Sequence, residues 1–353
     1  MRTAQALAQR GLGRVWPNPS VGCVIVKDNV VIGRGFTADG GRPHAETLAL
    51  KQARAQAKSA DVYVTLEPCA HHGQTPPCAQ SLIDSGVKRV IIGTQDPDPR
   101  TAGRGVEMLK SAGIEVVTSI LEKECSALNA GFFNRIKQNR PFITLKMACS
   151  LDGKVATKTG QSQWITGKES RAHVHLQRAR HDAVLAGIGT VRADDPLLTA
   201  RVPGIDHNTV RIILDSKLGI DPQSTLVKSA KECPLWIFFD PDSITPEPEQ
   251  IVSESGAKLF QIPPHNLVSV LEEVAKQGIT RLFVEGGASV HSAFLKAGLF
   301  DQIMIYRSPV IIGEGKSIFS ALTIERLQDA PRLQCIKKQS LGQDSLEIYE
   351  PVK

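Results

Sequence analysis

The chain has 353 residues, 41% of them hydrophobic and 22% charged, with a formal charge of +6 and seven cysteines. That length accommodates two domains with separate cores, no apolar run reaches the ~20 residues of a membrane span, and scattered cysteines in odd number argue against a disulfide framework. The charge excess is near +5 in residues 1–139 and near +1 in 140–353, which suits a phosphorylated small molecule; no Lys/Arg cluster interleaved with aromatics invites nucleic acid.

Met1-Arg2-Thr3-Ala4 shows no leader pattern and runs directly into a helix over 3–10, so a reducing cytoplasm is the expected compartment. Strands over 21–26 and 30–36 flank the turn Lys27-Asp28-Asn29 and read as a hairpin. A Gly-rich loop, Gly40-Gly41-Arg42-Pro43, leads to His44 and a helix over 45–58. A strand over 61–66 ends just before Cys69, and Pro76-Pro77 opens a helix from Cys78 to Ser85. Strand 88–93, helix 103–112 and strand 115–118 follow, predicting a mixed α/β sheet with helices on both faces. One helix is expected over 122–137. Gln138-Asn139-Arg140-Pro141 is then the predicted boundary between a domain of residues 1–139 and one of 140–353. The second half alternates again, with strands at 142–148, 183–187, 210–214, 235–239, 281–285 and 302–307. Its predicted helices cover 169–179, 267–277 and 290–297, and the segment from Pro241 to Pro248 reads as loop.

His44, Glu46, Cys69 and Cys78 carry the chemistry. One imidazole and two thiolates are the ligands of a catalytic zinc, which keeps its fourth position for water. Glu46, two residues after the His, is placed to move protons without ligating. The helix-start positions of the ligands favour thiolate. Nucleobase deaminases combine H-x-E with a later P-C-x-x-C; here the second part is P-C-x8-C. The alternative is a structural zinc completed by His71 or His72, but nine-residue Cys spacing is a poor match to zinc knuckles. Downstream, Glu285-Gly286-Gly287-Ala288 after a strand reads equally as a phosphate loop or a tight turn. No G-x-G-x-x-G is present, so a Rossmann site is not indicated.

His44-Ala45-Glu46 together with Thr65-Leu66-Glu67-Pro68-Cys69-Ala70-His71-His72-Gly73-Gln74-Thr75-Pro76-Pro77-Cys78 resembles the deaminase motif of the bifunctional riboflavin-biosynthesis deaminase–reductases. Pro17-Asn18-Pro19, Gln95-Asp96-Pro97-Asp98-Pro99 and Ala102-Gly103-Arg104-Gly105 extend the likeness. So do Leu145-Lys146-Met147, Ser150-Leu151-Asp152-Gly153-Lys154, Ser162-Gln163-Trp164-Ile165-Thr166, Asp194-Asp195-Pro196-Leu197-Leu198-Thr199 and Glu285-Gly286-Gly287. The resemblance covers nearly the whole chain. It implies a cytidine-deaminase-like α/β/α first domain and a dihydrofolate-reductase-like α/β second domain. The implied reactions are zinc-dependent deamination of 2,5-diamino-6-ribosylamino-4(3H)-pyrimidinone 5′-phosphate, then NADPH-dependent reduction of the ribosyl group to ribityl.

Carried over by position, the resemblance makes Glu46 the proton shuttle and His44, Cys69 and Cys78 the zinc ligands, with Asn18 on the pyrimidine. Ala148, Trp164, Thr190, Asp194 and the stretch Gly287, Ala288, Ser289, Val290, His291, Ser292 and Ala293 match nucleotide-contacting positions, the Gly turn binding NADPH phosphates through backbone N–H groups. Ser162, Arg178, Leu198, Arg201 and Glu285 match substrate-contacting positions. A guanidinium fork suits phosphate, although either arginine taken alone reads as a surface salt bridge. The expected assembly is a homo-oligomer, without nucleic acid or membrane. Three departures stand out. Thr37 occupies a place where relatives often carry His. Gln74 replaces a basic residue common in the Cys–Cys loop. The chain also begins a few residues later than the family pattern, so a clipped first helix or a misassigned start is expected. Two rival readings are a zinc deaminase with an inactive, reductase-like assembly domain and a zinc-stabilised RNA-binding protein.

Overall fold

Asp28 and Asn29 both adopt positive φ, the backbone a two-residue hairpin turn needs to follow strand twist. They join β1 (Gly22–Lys27) to β2 (Val30–Phe36) in an antiparallel pair. The computed structural model describes residues 1–72, 76–205, 207–243, 246–319 and 322–352. β1 also pairs antiparallel with β3 (Asp61–Leu66), whereas β3, β4 (Arg89–Thr94) and β5 (Glu115–Val117) run parallel. The result is a mixed five-stranded sheet in the order β2-β1-β3-β4-β5. Its helices are α1 (Arg2–Ala8), α2 (Ala45–Ala53), α3 (Cys78–Asp84), α4 (Arg104–Ser111), α5 (Glu122–Leu128) and α6 (Ala130–Gln138). Ala45, Ala49 and Ala53 line one side of α2 and share a core with Cys23, Ile25, Val62 and Val64. Fully burying an aliphatic side chain of this kind contributes roughly 1.5–3 kcal/mol.

Two expectations change here. The helix read over 45–58 ends at Ala53, because Arg54 takes φ 51 and a tighter turn over Arg54–Ala57 follows. The single helix read over 122–137 is two helices. Asn129 breaks it at φ −100 and ψ 16, and its buried Oδ1 accepts the Ser20 N–H at 3.0 Å. A short polar side chain that bonds backbone elsewhere competes with helix continuation.

The second sheet is built on β6 (Phe142–Cys149), β8 (Ala183–Gly187), β9 (Val210–Leu214), β10 (Leu235–Phe239), β11 (Lys258–Gln261), β12 (Arg281–Val284) and β13 (Gln302–Arg307). These seven strands run parallel, and the antiparallel hairpin β15 (Leu333–Leu341) and β16 (Asp344–Pro351) extends one edge. The order is β11-β10-β9-β8-β12-β6-β13-β16-β15. β8, β9 and β10 are buried along their whole length, as a parallel sheet covered on both faces requires. β7 (Lys154–Thr157) and β14 (Gly315–Ser317) form a separate two-stranded ribbon. The helices are α7 (Lys168–Ala179), α8 (Ile188–Asp194), α9 (Thr225–Lys228), α10 (Pro246–Glu254), α11 (Leu267–Lys276) and α12 (Ala288–Lys296). The first three residues of α10 fall on ground read as loop.

Two compact units divide the chain: Met1–Pro141 with Ala275–Thr280, and Phe142–Val274 with Arg281–Lys353. Arg140 and Pro141 thus belong with the first unit, two residues beyond the predicted boundary. All seven cysteines are free thiols. Among the described residues no helix is long and apolar enough to cross a membrane.

Candidate functional site

In the first unit β3 ends at Leu66, and the chain turns through Glu67-Pro68 to present Cys69. His44 is the residue before α2 and Cys78 the first residue of α3. These starts bring one donor atom each from His44, Cys69 and Cys78 to within 4.8 Å of one another. His44 Nδ1 lies 3.3 Å from Cys78 Sγ and 3.7 Å from Cys69 Sγ. A tetrahedral zinc with Zn–S of ~2.3 Å and Zn–N of ~2.0–2.1 Å needs edges of about 3.5–3.8 Å, so the three donors fit that ion. A hydrogen bond with Cys78 holds Cys69 down at about 4, while the same contact pushes Cys78 up. The hydrogen bond to Cys69 raises His44. Donors that compete for protons in a half-buried space are the set a soft dication replaces.

Glu46, in the first turn of α2, is 4% exposed. Burial pushes its carboxyl up to about 7, against the pull of His44. It contributes no donor to the three-residue cluster. Asn18 reaches the loop before His44: a Cβ on Gly41, which has φ +86, would fall 1.9 Å from Asn18 Nδ2. Thr37 is buried, and its Oγ1 accepts the Val21 N–H at 2.9 Å and donates to Pro19 O at 3.1 Å. It ties the Pro17–Pro19 segment to the end of β2. His71 Nδ1 lies 3.4 Å from Thr101 Oγ1 rather than in the ligand cluster. Gln74 lies outside the described residues.

Glu67 has no role in the sequence reading, and the structure gives it one. It is 3% exposed. Its Oε1 accepts the N–H groups of Gly105 and Val106 at 3.0 and 3.2 Å, and its Oε2 those of Gly103 and Asp96 at 3.1 and 3.3 Å. A carboxylate thereby caps the free N–H groups at the start of α4 and fixes the turn that carries Cys69. An acid between a strand end and a ligand cysteine was the signal available for it.

In the second unit the predicted residues gather at the carboxyl ends of β6, β12 and β8. Arg178, on α7, donates from Nε to Glu285 Oε1 at 2.5 Å, from Nη2 to Glu285 Oε2 at 3.1 Å and from Nη1 to Thr199 O at 3.0 Å. Lys146, on β6, reaches Glu285 Oε2 at 3.4 Å. Burial works to raise the Glu285 carboxyl, yet Arg178 and Lys146 together hold it at about 2. Arg178 thus sits in a largely buried two-point pair with Glu285. Arg201 differs. It is exposed, its Nη2 lies 3.2 Å from His175 Nε2, and it forms no ion pair among the described residues.

Gly286 and Gly287 lead into α12. A Cβ on Gly286 would fall 2.5 Å from Val290 Cβ, so only glycine lets the turn close onto the helix. Thr190 Oγ1 lies 3.9 Å from the Cβ position of Gly287, which brings α8 and the turn together. Asp194 Oδ1 accepts from Gln163 Nε2 at 3.2 Å, and Trp164 beside it is 70% exposed with the Arg171 guanidinium over its ring. Ser162 precedes these two, partly buried, and Ala148 lies on β6 near its carboxyl end.

Three of the expected positions have buried side chains. His291 is 4% exposed with Nε2 3.4 Å from Val284 O, and burial pushes it down to about 4. Ser292 is likewise buried. The His291 N–H already bonds Gly287 O, so the N–H groups open to a ligand at this helix start are those of Ala288, Ser289 and Val290. Leu198 is 3% exposed and packs into the core at φ 55; it offers backbone alone.

Two family models match the chain: the cytidine and deoxycytidylate deaminase zinc-binding region over residues 1–94 and the RibD C-terminal domain over residues 141–346. The riboflavin biosynthesis protein RibD of Aquifex aeolicus is 43% identical over 350 residues, which are 99% of this chain and 97% of that protein. The chain belongs to the RibD family. The RibD of Escherichia coli K12 is 39% identical over 361 residues, covering 98% of this chain and 96% of its own. Form 1 of Acinetobacter baumannii RibD superposes with a TM-score of 0.91 at 39% identity, covering 100% of this chain and 98% of that one. A Thermotoga maritima diaminohydroxyphosphoribosylaminopyrimidine deaminase/5-amino-6-(5-phosphoribosylamino)uracil reductase gives 0.90 at 37% identity, covering 100% and 97%. RibD membership makes this chain a bifunctional riboflavin-biosynthesis enzyme, a hydrolytic deaminase and a reductase on one polypeptide. Its first domain is the zinc-binding, cytidine-deaminase-like one and its second the RibD reductase domain, as the sequence implied.

Proposed function

We propose that the first domain deaminates 2,5-diamino-6-ribosylamino-4(3H)-pyrimidinone 5′-phosphate and that the second reduces the ribosyl group of the product to ribityl with NADPH. The observation that carries this reading is the convergence of His44, Cys69 and Cys78 within 4.8 Å beside the buried Glu46. His44, Cys69 and Cys78 would hold a zinc ion, and that ion would supply a bound water whose proton is labile near neutral pH. Glu46 takes that proton and delivers it towards the departing ammonia, so water is consumed as the exocyclic C–N bond breaks and a carbonyl forms. Asn18 orients the pyrimidine from the neighbouring loop.

In the second domain the N–H groups at the start of α12, with Ala148, Trp164, Thr190 and Asp194, would hold NADPH, which would supply the hydride for C1′ of the ring-opened sugar. Arg201, with no carboxylate partner among the described residues, anchors the substrate phosphate. Glu285 and Lys146 face the sugar, and Arg178 holds Glu285 in place. The acceptor carbon takes hydride readily, so these residues act chiefly by alignment. A cytoplasmic homo-oligomer fits these small soluble substrates.

The test is a coupled assay on the purified chain, following ammonia release and NADPH consumption with zinc content measured alongside. Cys69→Ser is expected to lose zinc and ammonia release together while NADPH consumption on supplied deaminated substrate continues. Full zinc occupancy with deamination retained in Cys69→Ser would overturn the ligand assignment. Ammonia release without NADPH consumption would favour the inactive assembly domain.

A further inference from the structure

The carboxyl ends of β6, β12, β8 and β9 lie side by side along the second sheet, the crevice in which open parallel sheets take ligands. The Lys146–Glu285–Arg178 cluster occupies the β6 and β12 end of this row. The Gly286-Gly287 turn follows β12, and α8 with the loop after β9 lies at the other end. A dinucleotide with its diphosphate on the glycine turn and its reacting ring towards Lys146 and Glu285 would run its second nucleoside over β8 towards β9. Two strand spacings, on the order of 10 Å, would bring the far ribose to the loop between Asp215 and Ile220.

Two residues there decide what the ribose carries. An outward carboxylate just past the strand would take a plain 2′-hydroxyl. Asp215 is not such a group: it is 1% exposed and accepts backbone N–H groups from Gly219, Ile220 and Lys217. Arg192 is exposed, on the third position after Gly189 in α8, and donates from Nη2 to Gly219 O at 3.0 Å. It forms no ion pair among the described residues. A Cβ on Gly219 would fall 2.3 Å from Arg192 Nη2, and Gly219 is not among the residues at positive φ. The missing side chain therefore makes room for the guanidinium rather than for a turn.

We infer that Arg192, seated over Gly219, selects a dinucleotide bearing a 2′-phosphate on its adenosine ribose over one without it. A planar guanidinium with open donors matches a phosphomonoester bidentately. This inference rests on the NADPH reading of the second domain. The experiment is calorimetry on the full chain with adenosine 2′,5′-bisphosphate and with 5′-AMP, together with KM for NADPH and NADH. In Arg192→Ala the bisphosphate is expected to bind about 10- to 100-fold more weakly with 5′-AMP unchanged, and KM to rise for NADPH alone. Arg192→Lys restores part of the loss, and Gly219→Ala, which displaces the guanidinium, reproduces part of it. A bisphosphate preference in the wild type that Arg192→Ala leaves intact overturns the inference and spares the NADPH reading. A wild type that binds both ligands alike and oxidises NADH as well as NADPH overturns that reading itself.

Discussion

Arg178 and Glu285 form a buried two-point pair, Nε to Oε1 at 2.5 Å and Nη2 to Oε2 at 3.1 Å, with Lys146 Nζ 3.4 Å from the second oxygen. The pair joins α7 to the end of β12, so the acid beside the glycine turn is held by a residue distant in sequence. Removing one partner of such a pair strands a buried charge and typically costs about 3–5 kcal/mol. Arg178→Ala is expected to destabilise the second domain by that order in urea unfolding. Arg178→Met combined with Glu285→Gln should recover much of the stability but none of the reductase activity. Recovery of activity in the double variant would show that the pair only packs.

The same carboxylate gives a pH dependence. Glu285 is held at about 2, below its ordinary value, so it binds protons less readily in the folded chain than in the unfolded one. Its contribution is present above about pH 4.5 and disappears as pH falls towards about 2. The stability difference between wild type and Glu285→Gln should therefore shrink across that window. A difference that stays flat from pH 5 to 2.5 would contradict the assignment.

Glu46 should be required for proton transfer in the first domain and irrelevant to hydride delivery in the second. Glu46→Gln keeps size and hydrogen bonding but cannot take a proton. Deamination is expected to fall at least about 10³-fold, at the upper end for general acid–base catalysis. Zinc should stay bound, and reduction of supplied deaminated substrate should stay within about twofold. Equal loss of both activities, with zinc and fold intact, would sink the assignment of the two reactions to separate domains.

Arg201 has an open guanidinium where Arg178 does not, which makes it the testable phosphate anchor. Losing a charge-assisted contact costs roughly 1.5–3 kcal/mol. Arg201→Ala should raise the reductase KM for the phosphorylated substrate about 10- to 100-fold, with little change in thermal stability because the residue is exposed. Unchanged steady-state constants would remove it from the site.

Glu67 is the positioning residue of the deaminase domain. Glu67→Ala leaves four N–H groups, two of them buried, without their acceptor, and a hydrogen bond to a charged group contributes about 1.5–3 kcal/mol. Zinc affinity, measured by competition with a chromophoric chelator, should drop at least tenfold, with reductase turnover unchanged. Glu67→Gln should keep part of the affinity. Wild-type zinc affinity in the alanine variant would reduce Glu67 to a local cap.

The sequence by itself determined what depends on local pattern. The zinc donors and Glu46 are legible because helix starts and a strand end fix where each side chain emerges. Strands at 61–66, 183–187, 210–214, 235–239 and 302–307 are legible because their apolar runs are long enough to decide the backbone locally. The hairpin β15–β16 was not read from the sequence, because β15 is an exposed edge strand with no apolar period. Only the tertiary structure decided the rest. Asn129 breaks a helix because Ser20, far away in sequence, needs its carbonyl oxygen. Arg178 is paired and Arg201 is open although both read alike as arginines. Leu198 turns inward to pack in the core of the second unit. In each case a partner remote along the chain sets the side chain's environment, and burial and pairing, which no local window contains, decide whether it can meet a ligand.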